Sequence, residues 1–171
     1  MREQLLEIQK IVNELLENLK PEKIKLEPKK IKLEPTNLKI NSDGWVKHTN
    51  NDAEEYLVNP SSDVREYKGN QYFTWDAAMR ETKKLGKRLP TDEEMELLEL
   101  EDYGEVVYTG YRDTGGTFNS LGVNTDIWSS TELDTAAWIR SLNSSNTTIF
   151  RSTYDKTYGF SVRCVDEKFI Y

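Results

Sequence analysis

The chain has 171 residues, with 30 acidic against 23 basic side chains and a formal net charge of −7. That length suits one globular domain plus an extension, and the charge is uneven: residues 1–40 carry nine Lys/Arg against seven Asp/Glu, whereas residues 41–171 carry 14 against 23. An acidic body repels phosphate backbones, which argues against nucleic acid as a partner, and a single cysteine, Cys164, rules out an intramolecular disulfide and leaves stability to core packing.

In chain order, Met1-Arg2-Glu3-Gln4 lacks the apolar core of a signal peptide. Display outside a cell would then need another route, such as assembly into a virus particle. No run of about 18 apolar residues occurs, which argues against membrane insertion. Residues 1–20 read as a helix. Leu5, Ile8, Val12, Leu15 and Leu19 recur in steps of three and four, Met1 fits one step earlier, and Ile11 and Leu16 widen the stripe. This spacing suits either a coiled-coil seam, three-stranded rather than two-stranded, or an amphipathic face docked on the chain's own domain. A helix of under three heptads is marginal alone, and Pro21 ends it.

A repeat of period seven follows. Lys23-Ile24-Lys25-Leu26-Glu27-Pro28 recurs as Lys30-Ile31-Lys32-Leu33-Glu34-Pro35, and Leu38 and Ile40 continue the register of Ile31 and Leu33. Apolar residues two apart have strand spacing, and Pro belongs at strand ends. Residues 21–40 are therefore expected to form a β stalk or collar, or else a semi-rigid linker, between helix and head. Association of three copies through residues 1–40 into a homotrimer is the matching partner expectation.

Residues 41–171 are expected to form the head. Asn41-Ser42-Asp43-Gly44 marks a turn and Trp45-Val46 opens a short strand. Thr74 caps a helix from residue 75 to about residue 85, with Ala78, Met79, Thr82 and Leu85 facing inward and Gly86 stopping it. Thr91 with Glu94 makes a capping box for a second helix that carries Met95, Leu97, Leu98 and Leu100. Capping explains the carboxylates Asp92, Glu93 and Glu94 better than acid–base chemistry does. Strand-like pieces follow at 106–108, 127–129, 137–142, 148–153 and 159–165. Two helices followed by short antiparallel strands give an α+β domain.

Three separated segments carry a resemblance. The first is Thr74-Trp75-Asp76-Ala77-Ala78, continued by Leu85-Gly86-Lys87-Arg88-Leu89-Pro90-Thr91-Asp92-Glu93-Glu94. The second is Ile127-Trp128-Ser129-Ser130-Thr131-Glu132, followed by Ala137-Trp138, and the third is Gly159-Phe160-Ser161-Val162-Arg163-Cys164-Val165. In this order and spacing, residues 67–166 resemble the variable proteins of diversity-generating retroelements and their non-variable bacterial relatives. Those proteins use the formylglycine-generating-enzyme type of C-type-lectin fold. The resemblance implies a C-type-lectin-like head that binds a protein or cell-surface ligand, displayed on a virion surface or extracellularly. It also implies diversification: a reverse transcriptase copies a template with changes at adenines, and the copy replaces the C-terminal coding segment. The alternative is an invariant lectin-like paralogue with a structural or adhesion role. An enzyme of the formylglycine-generating type would need a reactive cysteine or a bound metal, whereas Cys164 reads as a buried structural thiol. No catalytic residue, cofactor or metal site is expected. The Glu-Pro-Asn, Gln-Pro-Asp and Trp-Asn-Asp motifs of calcium-dependent lectins are absent, and His48 with one distant Cys cannot make a zinc centre.

Between Ser141 and Thr157, ten of 17 residues are Ser, Thr or Asn, flanked by the apolar anchors Trp138, Leu142, Phe160 and Val162. This places a polar, adaptable surface on a rigid frame; without the resemblance the same stretch reads as a plain solvated sheet face. The scaffold is expected in Trp128, Trp138, Gly159, Phe160, Arg163 and Cys164. The two Trp serve as core pillars, with Phe160, Val162 and Cys164 inward on one strand face and Ser161 and Arg163 on the other. The candidate ligand-binding positions are Asp126, Leu133, Asp134 and Thr135 in loops and Ile139, Arg140 and Ser141 beside Trp138. Asn143, Thr147, Phe150, Ser152, Tyr154 and Asp155 complete the set in the polar stretch. Strand alternation lets only one of each adjacent pair face out, and Ile139 and Phe150 are each either hot spot or core.

Overall fold

The computed structural model describes residue 4, residues 7–13 and residues 30–169. It is an α+β structure with three antiparallel sheets. Strands β1 (Val46–Thr49), β2 (Glu55–Val58), β3 (Val64–Tyr67) and β4 (Asn70–Phe73) pair in sequence order. Between β3 and β4 the two-residue turn Lys68-Gly69 has φ of 48° and 76°. That pair of positive values matches the twist of a tight hairpin and explains the glycine. Val64, Tyr67, Tyr72 and Phe73 of this hairpin are buried.

Helix α1 spans Trp75–Lys84, with the Thr74 hydroxyl accepting from the Ala77 amide as its N-cap. Ala78 and Thr82 face inward as expected, together with Trp75, Ala77 and Glu81. Leu85 does not: it sits at the C-cap, beyond the buried stripe, and is 51% exposed. Helix α2 spans Asp92–Glu96 and has the full capping box, with the Glu94 amide donating to Thr91 Oγ1 at 3.1 Å and the Thr91 amide donating to Glu94 Oε2 at 2.8 Å. It stops after five residues, and a 3₁₀ turn at Leu100–Tyr103 follows. Met95 and Leu98 still reach the core.

The piece expected at 106–108 is not a strand, and Val107 is 49% exposed. Pairing begins later, between β5 (Tyr111–Arg112) and β6 (Phe118–Asn119). Gly110 makes this approach feasible: a Cβ there would lie 2.0 Å from the Asn119 carbonyl oxygen. The third sheet has the order β7 (Asn124–Leu133), β8 (Ala136–Asn143), β9 (Ile149–Asp155), with a register irregularity between Trp128 and Glu132.

Residues 159–165 form bridges rather than the expected regular strand. Phe160 bridges Phe73, Gly159 bridges Arg112, Ser161 bridges Ile127, and Val165 bridges Leu33. Every residue from Phe160 to Val165 is at most 1% exposed, so the two-faced expectation fails: Ser161 and Arg163 are as buried as Phe160. Their polar groups are satisfied from inside. Ser161 Oγ lies 2.8 Å from Thr109 Oγ1. Arg163 donates to the carbonyls of Glu34, Tyr103 and Glu105 and to Asn37 Oδ1, at 3.2, 2.6, 3.0 and 3.0 Å.

Two of those acceptors come from the segment expected to be a stalk. Ile31, Leu33 and Leu38 are 4%, 2% and 7% exposed. The Glu34 amide donates to the Cys164 carbonyl at 2.9 Å and the Leu38 amide to the Val162 carbonyl at 2.7 Å. The head therefore includes residues 31–40, and the boundary expected at residue 41 moves earlier. The apolar spacing is real, but the 159–165 segment of the same chain pairs with it. The first repeat unit, Pro21, and Met1, Leu5, Leu15, Leu16 and Leu19 lie outside the described residues. Residues 7–13 are helical, with Ile8, Ile11 and Val12 exposed by 59%, 49% and 40%.

Two apolar clusters share the 159–165 segment. Trp128, Phe73, Phe160, Val162 and Cys164 centre the first. Leu33, Met95, Tyr103, Ile127 and Val165 belong to the second, beneath α2.

Candidate functional site

The register of the β7-β8-β9 sheet decides which candidate side chains meet. Asp126, Ser141 and Phe150 form one cross-strand row, Trp128, Ile139 and Ser152 the next, and Ala137 pairs with Tyr154 in a third. Side chains in such rows share a face. Along β7 and β8 this face is core, with Trp128, Ala137 and Ile139 at 0% exposure. At the edge strand β9 it opens: Phe150 is 52% exposed, Tyr154 is 38% exposed, and Ser152 is partly exposed. Ile139 is therefore core and leaves the candidate set.

The open rim is aromatic and polar. Tyr154 packs edge-on against Phe160 and Tyr158, with ring centroids 5.3 and 5.1 Å apart, and Tyr158 lies 6.2 Å from Tyr111. Its inner end rests on the core while its outer edge meets solvent. Beneath lies Asp126, which is in strand β7 rather than a loop and is 5% exposed. It accepts a hydrogen bond from Asn124 Nδ2 at 3.0 Å and another from the Ser141 hydroxyl. Burial pushes the Asp126 carboxyl above its ordinary pKa. Burial, and then the Asp126 carboxylate, push the Tyr111 and Tyr154 hydroxyls up in turn. Tyr111, Asn124 and Tyr158 were not among the sequence candidates. Tyr158 could have been found from its spacing to Tyr154 and Phe160, but Tyr111 and Asn124 reach the rim only through strand pairing.

The other face of the sheet carries a different structure. Arg140, expected at the surface, is 3% exposed. It donates to Asp92 Oδ1 at 2.5 Å and to Glu96 Oε2 at 3.1 Å. Arg151 donates to Asp92 Oδ2 at 2.6 Å, and its guanidinium lies 3.4 Å from the Trp138 ring centroid. Trp138 is half-buried beneath that cation, not a core pillar, because alternation puts it opposite Ala137 and Ile139. Asp92, read from sequence as a capping residue, anchors this network.

The remaining candidates divide between the two ends of β9. Leu133, Asp134 and Thr135 are exposed at the β7–β8 hairpin, where Asp134 has φ of 53°. Asp155 stands opposite Ala136 at the same end, and its Oδ1 accepts from the Thr157 amide at 2.9 Å. At the other end, Asn143 Oδ1 accepts from the Ser145 amide at 2.8 Å and hydroxyl at 2.6 Å, while Thr147 is exposed in the turn. Asn143 and Asp155 thus hold their own turns in shape.

Chemically, the rim offers aromatic contact area with hydroxyl donors and acceptors around it. Cys164 has no exposure, and burial pushes its thiol pKa up to about 11. Among the described residues, no group of three or more His, Cys, Asp or Glu side chains could hold a metal ion, and no helix is long and apolar enough to cross a membrane. No protein-family model, curated protein or solved structure matches the chain.

Proposed function

We propose that this chain is a ligand-binding protein that presents exchangeable side chains from the edge of a rigid C-type-lectin-like head. The observation that carries the reading is the contrast along one face of one sheet. Trp128 and Ile139 are sealed at 0% exposure, while Phe150 and Tyr154, in the neighbouring rows at the edge, are 52% and 38% exposed. A surface residue can change without cost to folding when its row partners carry the packing. Ser141, Phe150, Ser152 and Tyr154 form the centre of the binding surface, with Tyr111 and Tyr158 beside them. Thr147 and the hairpin residues Leu133, Asp134 and Thr135 extend it.

The motifs shared with variable proteins of diversity-generating retroelements support the further reading that the segment is diversified. Its ligand is then a protein or cell-surface molecule, met from a virion or by extracellular display. The exposed Ile8, Ile11 and Val12 support self-association through the N-terminal helix into a homotrimer, which would multiply weak single-site affinities. The test is the DNA around the gene. A near-copy of the segment coding for residues 126–165, differing at adenines and beside a reverse transcriptase gene, is the expected finding. Its absence overturns diversification and leaves an invariant adhesion domain. Light scattering of the full chain is expected to give three times the monomer mass; a monomer overturns the trimer.

A further inference from the structure

Four arginines of the head are substantially withdrawn from solvent, and three of them have acceptors. Arg163 has three carbonyls and an amide oxygen. Arg140 has the carboxylates of Asp92 and Glu96. Arg65 gives Nη1 to the carbonyls of Ser62 and Val64, at 3.4 and 3.1 Å. Arg112 differs. Its Nε is fully buried without a hydrogen-bond partner among the described residues, while the side chain as a whole is only partly buried. A fully buried N–H with nothing to donate to is costly, so it points to an acceptor that comes from outside the chain.

The Arg112 side chain is held in place. Its amide donates to the Gly159 carbonyl at 2.9 Å and its carbonyl accepts from the Gly159 amide at 2.8 Å. The stem crosses Gly159 so closely that a Cβ there would lie 3.1 Å from the Cβ atoms of both Arg112 and Tyr72. Arg112 lines a cavity of about 40 Å³ with Asp63, Arg65, Tyr72, Thr74 and Gly159. The Tyr72 hydroxyl is already given to the Thr109 carbonyl at 2.6 Å, so that residue contributes a ring wall. Arg65 supplies a second positive charge. Its nearest counter-ion is Asp63 at 4.0 Å, whose side chain is 71% exposed and therefore largely solvated. Thr74, the N-cap of α1, brings the positive end of a helix dipole to the same space. Burial and then the neighbouring Arg65 depress the Arg112 pKa, outweighing the opposing pull of Tyr56, Asp113 and Asp63.

We infer that the cavity between β3, β5 and the start of α1 is a binding site for one small oxyanion, a carboxylate or phosphate group, held by the guanidinium groups of Arg112 and Arg65. The volume admits a single such group, and a planar guanidinium matches its oxygens in a two-point contact. The site does not depend on the β9 rim and stands or falls separately from the proposed function.

The test uses the full chain labelled with ¹⁵N and follows arginine Nε–Hε resonances during titration with acetate, inorganic phosphate and chloride at constant ionic strength. The Arg112 signal is assigned by its loss in Arg112→Lys, or through its contacts with Gly159 if that variant does not fold. Saturable movement with acetate or phosphate is expected, weakened about tenfold or more in Arg65→Gln. The anion that saturates first identifies the oxyanion class. An Arg112 signal that ignores all three anions overturns the inference and assigns the space to water. Movement without saturation means an adventitious ion only and overturns it too, as does saturation by chloride alone or binding unchanged in Arg65→Gln.

Discussion

Replacing Asp92 with Asn keeps the shape of the side chain and removes the charge that balances a buried cation. Asp92 is 6% exposed and accepts from Arg140 Nη1 at 2.5 Å and from Arg151 Nε and Nη2 at 3.1 and 2.6 Å. Arg140 is itself 3% exposed and keeps the backbone carbonyls of Asp92 and Ile139 at 3.0 and 3.2 Å, with one carboxylate, the 67% exposed Glu96, at 3.1 Å. Breaking a buried pair from one side costs about 3–5 kcal/mol; the remaining Glu96 contact places Asp92→Asn near the lower end, about 3 kcal/mol. In a domain of this size each kcal/mol moves the melting temperature by roughly 2–4 °C, so the expected drop is about 10 °C. Urea unfolding followed by tryptophan fluorescence gives the free energy directly. The pH dependence has a definite sign. Burial alone would raise the Asp92 pKa, but the hydrogen bonds from Arg151 and Arg140 outweigh it and hold the carboxyl below its ordinary value. The folded value is thus depressed. The stabilisation is fully present above the unfolded Asp value of about 3.9 and is lost as pH falls through the lower folded value. The gap between wild type and Asp92→Asn is therefore constant near neutrality and narrows below about pH 4. Asp92→Leu combined with Arg140→Met is expected to recover most of the loss. A cost under about 1 kcal/mol, or a gap indifferent to acid, would mean that Asp92 does not balance the Arg140 charge.

Trp128→Ala is expected to cost about 3–5 kcal/mol in urea unfolding, because the ring is fully buried and its Nε1 donates to the Phe73 carbonyl at 2.8 Å. Trp138→Ala should cost under about 2 kcal/mol, since it loses half-exposed area and a stacked guanidinium; the reverse order would contradict the assignment of faces. The Cys164 thiol should react with iodoacetamide in folded protein only at the rate of unfolding, rising with urea along the unfolding curve; fast labelling without urea would contradict its burial. Phe150→Ser and Ser152→Tyr should each change stability by less than about 0.5 kcal/mol, and a larger loss in either would place that residue in the core.

Much of the local structure is legible in the sequence because its causes are local. Thr74 and Gly86 fix the two ends of α1, and Thr91 with Glu94 the start of α2, through groups within a few residues of one another; the early end of α2 has no such local signal. The alternation of β8 identifies two faces but not which of them is covered. Ile139 and Trp138 could exchange roles until the 159–165 segment is seen lying against Trp128 and Phe73. The same segment misleads at Ile31, Leu33 and Leu38, whose strand spacing is as compatible with a stalk as with pairing to Val162, Cys164 and Val165. Distant pairing hides the rest. Arg140 looks like a surface residue because Asp92 lies far upstream, and Asp126 looks like a loop carboxylate because Ser141 comes from the neighbouring strand.

On this reading the β9 edge can change its side chains while the framework beneath stays fixed. A library randomised at Thr147, Phe150, Ser152 and Tyr154 tests it by the cooperative melting of individual soluble members. Most members are expected to melt in a single transition within a few degrees of the parent; loss of folding in most of them would place these side chains in the framework instead.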